Sequence, residues 1–196
     1  SRARPPEATS ARTRLPFQLP SELARALRGA AQEAGLTPFD ALIAAFGAFL
    51  YRTTRHRDLL LGLREGERFA ALRLALSGET TFRELLGTVQ HELAECRAHA
   101  LPLKELLRVA HSTRPDNLFQ VLVTSEKLNG KDSRGYDLVL AVHKGPGAGT
   151  FVYDAELFDP RVAERMLGHI ATLLAAALAE PDRPLGELAF LTEAER

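Results

Sequence analysis

The stretch from residue 157 to residue 196 constrains the fold most, because its local signals agree. Asp159 followed by Pro160 reads as an N-cap and a first helical residue: the carboxylate accepts from open N–H groups, and proline has no N–H to leave unpaired. Val162, Ala163, Met166, Leu167, Ile170, Leu173, Leu174, Ala177 and Leu178 recur at helical spacing and make one broad apolar face. Pro181 stops the helix. Beyond it Pro184, Leu185, Leu188, Phe190 and Leu191 have no clear period, so this tail must lie along a surface. Thr192 and Glu195 form a Thr-x-x-Glu capping box with no helix after it, and a following segment is expected there.

Upstream, residues 1–14 read as a linker, with arginines interleaved among prolines and too little apolar material to repay ordering. Residues 15–19 read as a short strand. Ser21 is expected to cap a helix that Gly35 ends, and Thr37, Pro38 and Asp40 open a second, deeply packed helix through Phe39, Leu42, Ile43, Phe46 and Phe49. Residues 58–63 (DLLLGL) suit a strand covered on both faces, and residues 70–76 a second one. Thr81 and Glu84 cap a helix to about residue 98, and Pro102 opens a shorter one. Residues 118–124, 136–143 and 150–157 are three further strands, with Asn129-Gly130 and the glycines at 145, 147 and 149 expected to supply the turns between them. The order describes a mixed α/β fold with a sheet of about five strands covered by helices.

Composition excludes several function classes. With 25 Lys plus Arg against 25 Asp plus Glu, no net field collects nucleic acid or anionic lipid, and neither partner is expected. The single cysteine, Cys96, rules out an internal disulfide framework and points to a reducing, cytoplasmic setting. No apolar run approaches the roughly 18 residues of a membrane span. The six histidines, at 56, 91, 99, 111, 143 and 169, stand in no metal-ligand or catalytic spacing. The GPGAG run at 145–149 lacks the Lys-Ser/Thr end of a phosphate loop and precedes a strand, so it reads as a hairpin turn. Asp154 and Glu156 alternate on a strand and read as two solvated carboxylates on one face. No catalytic, metal or cofactor site is expected from these residues.

The stretches TPFDALIAAFGAFLYRTTRHRDLLLGL, TTFRELLGTVQHELAECRAHALPLKELL, LFQVLVT, YDLVLAV and the run from Tyr153 to the end resemble, in order, the C-terminal half of a nonribosomal peptide synthetase condensation domain. The resemblance implies a single lobe of the chloramphenicol-acetyltransferase-like condensation fold at residues 15–180. It also implies an interlobe-type linker at 1–14 and a tail at 181–196 leading towards an adenylation domain. Amide bonds in that family form between two lobes, and the catalytic His-His-x-x-x-Asp-Gly motif belongs to the other lobe; it does not occur in this sequence. GLREGERFAAL at 62–72 and SEKLNGKDSR at 125–134 are short where the family carries lobe-bridging elements, and only Arg68 and Arg73 match its flanking arginines. An arbitrary cut through an ordinary domain would leave both elements in place. Their trimming fits a lobe that stands without its partner.

The resemblance therefore implies a non-catalytic partial condensation domain, a structural or docking module contacting the adjacent adenylation domain and peptidyl carrier protein. Leu185, Leu188, Phe190, Leu191, Thr192 and Glu195 are its expected interdomain contacts. The alternatives are one half of a split condensation enzyme and a platform that recruits a tailoring enzyme. No cofactor is implied.

Overall fold

The computed structural model describes residues 12–113, 118–128, 135–143, 147–192 and 195. Its elements run β1 (Arg12–Gln18), α1 (Ser21–Glu33), α2 (Pro38–Thr54), β2 (Asp58–Glu65), β3 (Arg68–Ala75), α3 (Phe82–Ala98), β4 (Leu101–Pro102), α4 (Leu103–Val109), β5 (Val121–Thr124), β6 (Leu138–Val142), β7 (Ala148–Asp154) and α5 (Pro160–Ala179). The sheet has seven strands in the order β1-β7-β6-β5-β2-β3-β4. It is mixed: β5 lies parallel to β2 and to β6, whereas β7 is antiparallel to β6 and to β1. The sheet has more strands than the roughly five expected: the strand read at residues 15–19 is β1, which starts earlier, inside the expected linker, and β4 is unforeseen because its two residues are too few to alternate.

One turn expectation is corrected by the pairing. Because β5 and β6 are parallel, Asn129-Gly130 does not close a hairpin; the chain must cross from one end of the sheet to the other, which takes a long connection. Residues 129–134 lie outside the described residues. The glycine run at 145–149 does join antiparallel strands, and the His143 N–H donates to the Ala148 carbonyl at 2.8 Å across it, as a hairpin requires; residues 144–146 lie outside the described ones.

Two compact units divide the chain. The first comprises Ser1–Gln18, Leu60–Leu72 and Cys96–Arg165. Its core gathers Phe69, Phe119, Leu122, Tyr136, Val139 and Val152, with Leu103 and Leu106 of α4 packed against them. Asp154 is not solvated as its strand position suggested: it is buried, paired with Arg12 across the β1–β7 register, and accepts the Glu156 N–H at 2.9 Å. Glu156 lies beyond the end of β7, so the two carboxylates do not share a strand face. At the start of α5 the Asp159 carboxylate accepts the Arg161 N–H at 2.9 Å, the expected cap.

The second unit comprises Leu19–Leu59, Arg73–Glu95 and Met166–Arg196. Every residue of α2 from Asp40 to Tyr51 is buried, which is why its sequence is apolar on all sides. Thr37 and Asp40 close a reciprocal capping box at its start, and Gly47 faces Leu74 so closely that an added Cβ would stand 2.8 Å from Leu74 Cδ1. Thr81 and Glu84 form the second expected box, at 2.9 and 3.2 Å. Ser21, however, makes no cap: it is the first residue of α1, and Pro20 occupies the N-cap with no side-chain hydrogen bond. Gly35 ends α1 with a φ of 66°, letting the Leu36 N–H return to the Ala31 carbonyl.

Helix α5 also departs from expectation. By length and composition it is apolar enough to cross a membrane, contrary to the reading of residue runs. Its apolar side chains nonetheless fall on one face, and Ile170, Leu173, Leu174 and Ala177 are buried within the unit. A one-sided stripe is what a helix lying on a core requires.

Two glycines should respond oppositely to alanine. At Gly149 an added Cβ would strike the Phe17 ring and stand 2.5 Å from the Ala141 carbonyl oxygen, which the sheet holds in place; Gly149→Ala should cost about 1–3 kcal/mol. At Gly29 in α1 nothing lies within 4 Å, so Gly29→Ala should gain about 0.5–1 kcal/mol from helix propensity. Urea unfolding of the two variants measures both.

Candidate functional site

The tail after α5 is built into the second unit by backbone pairing first. The Arg83 N–H donates to the Pro181 carbonyl at 3.0 Å, and Arg83 holds Asp182 with two bonds at 2.6 and 3.1 Å. Thr81 and Pro184 form an isolated antiparallel bridge. The Leu185 N–H reaches the Thr80 carbonyl at 2.8 Å, and the Gly186 N–H the Gly78 carbonyl at 3.0 Å. A Cβ at Gly186 would stand 3.1 Å from that same carbonyl, so close approach of the two backbones favours glycine there.

Arg52, in the last turn of α2, then takes hold of the carbonyl side. Its Nη1 donates to the Leu185 carbonyl and, at 3.0 Å, to the Leu188 carbonyl. Partial burial lowers the Arg52 pKa, nearby Arg55 lowers it further, and Tyr51 works the other way. The same guanidinium lies 5.2 Å from the centroid of the Phe190 ring, a cation–π arrangement. Phe190 also stacks with Phe49 at 6.2 Å and meets the His169 ring at 4.5 Å. His169 is buried on α5, and its Nε2 is 2.7 Å from the Glu195 carboxylate. That carboxylate accepts the Thr192 N–H at 3.0 Å and its hydroxyl at 2.7 Å, one half of the expected Thr-x-x-Glu box, while the Glu195 N–H donates to the Thr192 carbonyl at 3.1 Å. The two bonds to the carboxylate, with His169 adding to them, hold the Glu195 carboxyl down to about 2.

The six residues expected to contact a neighbour divide into two groups. Leu185 and Leu188 are buried at 0% and 3% exposure, so they are excluded as contact surface: their side chains fill the unit's own core. Phe190 and Thr192 are half-buried, Leu191 is 47% exposed and Glu195 is exposed. Arg52 escapes the sequence reading, and Phe49 is read there only as a packed residue of the second helix. An arginine closing an apolar helix reads as a favourable charge at a helix C-terminus, and nothing local reveals a partner 133 residues away.

Two grooves flank α1 within this unit. One, of about 700 Å³, is lined by Gly29, Ala30, Leu86, Gly87 and Gln90 among others. The other, of about 720 Å³, lies along Leu23, Ala26, Ala171 and Ala175, and Leu191 of the tail forms part of its wall. Neither brings together an acid, a base and a nucleophile. His56, His91, His99 and His111 are exposed, and His143 sits 3.2 Å from the Thr150 hydroxyl. Among the described residues no group of three His, Cys, Asp or Glu side chains is placed to hold a metal ion.

The family model described as "Condensation domain" matches residues 1–196. The chain belongs to the condensation-domain family. A linear gramicidin synthase of Brevibacillus parabrevis is 33% identical over 216 residues, covering 91% of this chain and 3% of that protein. Phosphinothricin tripeptide synthetase PhsC of Streptomyces viridochromogenes is 30% identical over 233 residues, covering 99% of this chain and 21% of that protein. Since 99% of this chain is about 194 residues, about 39 of those 233 aligned positions have no counterpart here. In fold, the chain matches the X-domain of teicoplanin biosynthesis, solved in complex with OxyB, with a TM-score of 0.83 at 21% identity, over 98% of this chain and 51% of that one. It matches the first condensation domain of the CDA synthetase at 0.76 and 21%, over 92% and 48%. The condensation-family chain thus spans about half the length of these solved domains and a small part of the synthetases.

The Glu195 carboxyl provides a test of the tail's geometry. A carboxyl pKa depressed in the folded chain stabilises the folded arrangement above the ordinary value of 4.5, and that contribution is lost as pH falls towards about 2. The Thr192 amide resonance, followed from pH 5 to 1.5, should therefore titrate with a midpoint near 2. A midpoint near 4.5 would show that the box and the His169 contact are not formed.

Proposed function

We propose that this chain is a non-catalytic partial condensation domain that serves as a structural or docking module in a nonribosomal peptide synthetase. One observation carries the reading: the histidines of these residues are exposed, or lie against the Thr150 hydroxyl or the Glu195 carboxylate, and none stands in the His-His-x-x-x-Asp-Gly pattern that the family resemblance ties to catalysis. The roughly 39 alignment positions without a counterpart fit a shortened lobe, and the family resemblance implies that residues 62–72 and 125–134 are short where bridges to a second lobe would lie. Neighbouring adenylation and carrier domains are the proposed partners. The exposed end of the tail, Leu191 with Thr192 and Glu195, is the proposed point of contact, because it follows directly on a segment fixed to the unit's core.

The chemistry of such a module is positional. A residue that only aligns neighbours contributes through binding energy and reach, and no proton transfer passes through it. Replacing each of the six histidines in turn should leave product formation by the parent synthetase nearly unchanged; a loss of several orders of magnitude at one of them, with the fold intact, would sink the non-catalytic assignment. Cross-linking and pull-down with the neighbouring adenylation and carrier domains should capture a complex, and Leu191→Glu should weaken it at least tenfold. Absence of any complex with either domain would overturn the docking role.

A second reading has its own support. The X-domain that shares this fold was solved bound to OxyB, so a tailoring enzyme is an alternative partner. The same pull-down with a tailoring enzyme as prey separates the two: capture of that enzyme and not of the adenylation domain favours the platform.

A further inference from the structure

The tail changes character at Ala189. Up to Leu188 it is tied down by backbone pairing to residues 78–81, by the Arg83–Asp182 pair, and by two leucine side chains without exposed surface. From 189 to 191 no backbone hydrogen bond joins the tail to another element among the described residues. The outer part is instead held by side chains. Phe190 lies among Phe49, Arg52 and His169, and Glu195 meets His169. Gly168 accommodates the same segment: a Cβ there would stand 3.0 Å from Thr192 Cγ2. Segments with little backbone pairing and high exposure open locally at far lower free energy than the core on which they rest.

We infer that Ala189, Phe190, Leu191 and Thr192, with Glu195, form a latch that opens about Ala189, while residues 181–188 stay in place. His169 and Phe190 are its fastening. Arg52 marks the hinge, since its guanidinium holds the last fixed carbonyls, at Leu185 and Leu188, and also faces the first movable side chain, Phe190. Closure places Leu191 in the wall of the groove along Leu23, Ala26, Ala171 and Ala175; opening removes that wall and uncovers His169 and Phe49. Resting on the docking role proposed above, the latch would also set the reach of the chain it carries, because the four freed residues 189–192 extend to about 14 Å. A closed latch holds a neighbour in one orientation, and an open one tethers it.

The test uses the full chain alone, so its outcome does not depend on whether any adenylation domain binds. A nitroxide is attached at position 191 in the Leu191→Cys, Cys96→Ser background, and amide broadening is read at Ala171 and Ala175. The closed latch should broaden both. His169→Ala and Phe190→Ala should each reduce that broadening at least twofold, with the Leu185 amide, bonded to Thr80, keeping its chemical shift. Unchanged broadening in both variants would show that these side chains do not fasten the segment. Loss of the Leu185 signal together with the broadening would show that the tail moves as one piece and has no hinge at Ala189. Glu195→Gln leaves the ring contacts in place and should give a smaller reduction than either; an equal or larger one would place the fastening on the carboxylate and not on Phe190.

Discussion

The tail of this chain depends on one guanidinium meeting two peptide carbonyls. A chain that leaves a helix and crosses a protein surface carries unpaired carbonyl groups, and any it buries must find donors. Residues 185–188 bury two leucines, so their backbone cannot remain in water. The Leu185 and Gly186 N–H groups find carbonyls at Thr80 and Gly78, and Arg52 serves the Leu185 and Leu188 carbonyls from the other side. Arginine suits the task because its planar fork offers several donors at once and its face stacks on an aromatic ring. The position of Phe190, and through it that of Leu191 and Thr192, follows from that hold.

Features built from neighbouring residues were legible in the sequence, apart from the cap expected at Ser21. The capping boxes at Thr37–Asp40 and Thr81–Glu84 and the Asp159 cap each depend on residues three or fewer apart. Buried α2 was legible from its unbroken apolar character. What depends on pairing between distant segments was not. Asn129-Gly130 has the composition of a hairpin turn, yet β5 and β6 are parallel, and strand direction is settled by the whole sheet. Asp154 looked solvated until Arg12, placed in an apparent linker, proved to be its partner in the β1–β7 register. Likewise Leu185 and Leu188 look like sticky surface in a tail without period, and it is the pairing with residues 78–81 and the hold of Arg52 that turn them inward.

Membership of the condensation-domain family accounts for the fold and sharpens the question of function. Half of such a domain retains a mixed sheet, its helices and a core of its own, so the packing described is accounted for within the lobe. Its histidines are exposed, or bonded to Thr150 in one case and used to seat the tail in another. The docking role proposed for the lobe would have it hold neighbours in place, and the most specific construction of the second unit is found where the tail is fastened.

The most direct measurement is reconstitution. An N-terminal condensation lobe carrying His-His-x-x-x-Asp-Gly would be added to this chain, and amide-bond formation between two carrier-bound substrates followed by mass spectrometry. A positional module predicts no product above that of the added lobe alone. Product that requires both halves would contradict the account and establish a split enzyme.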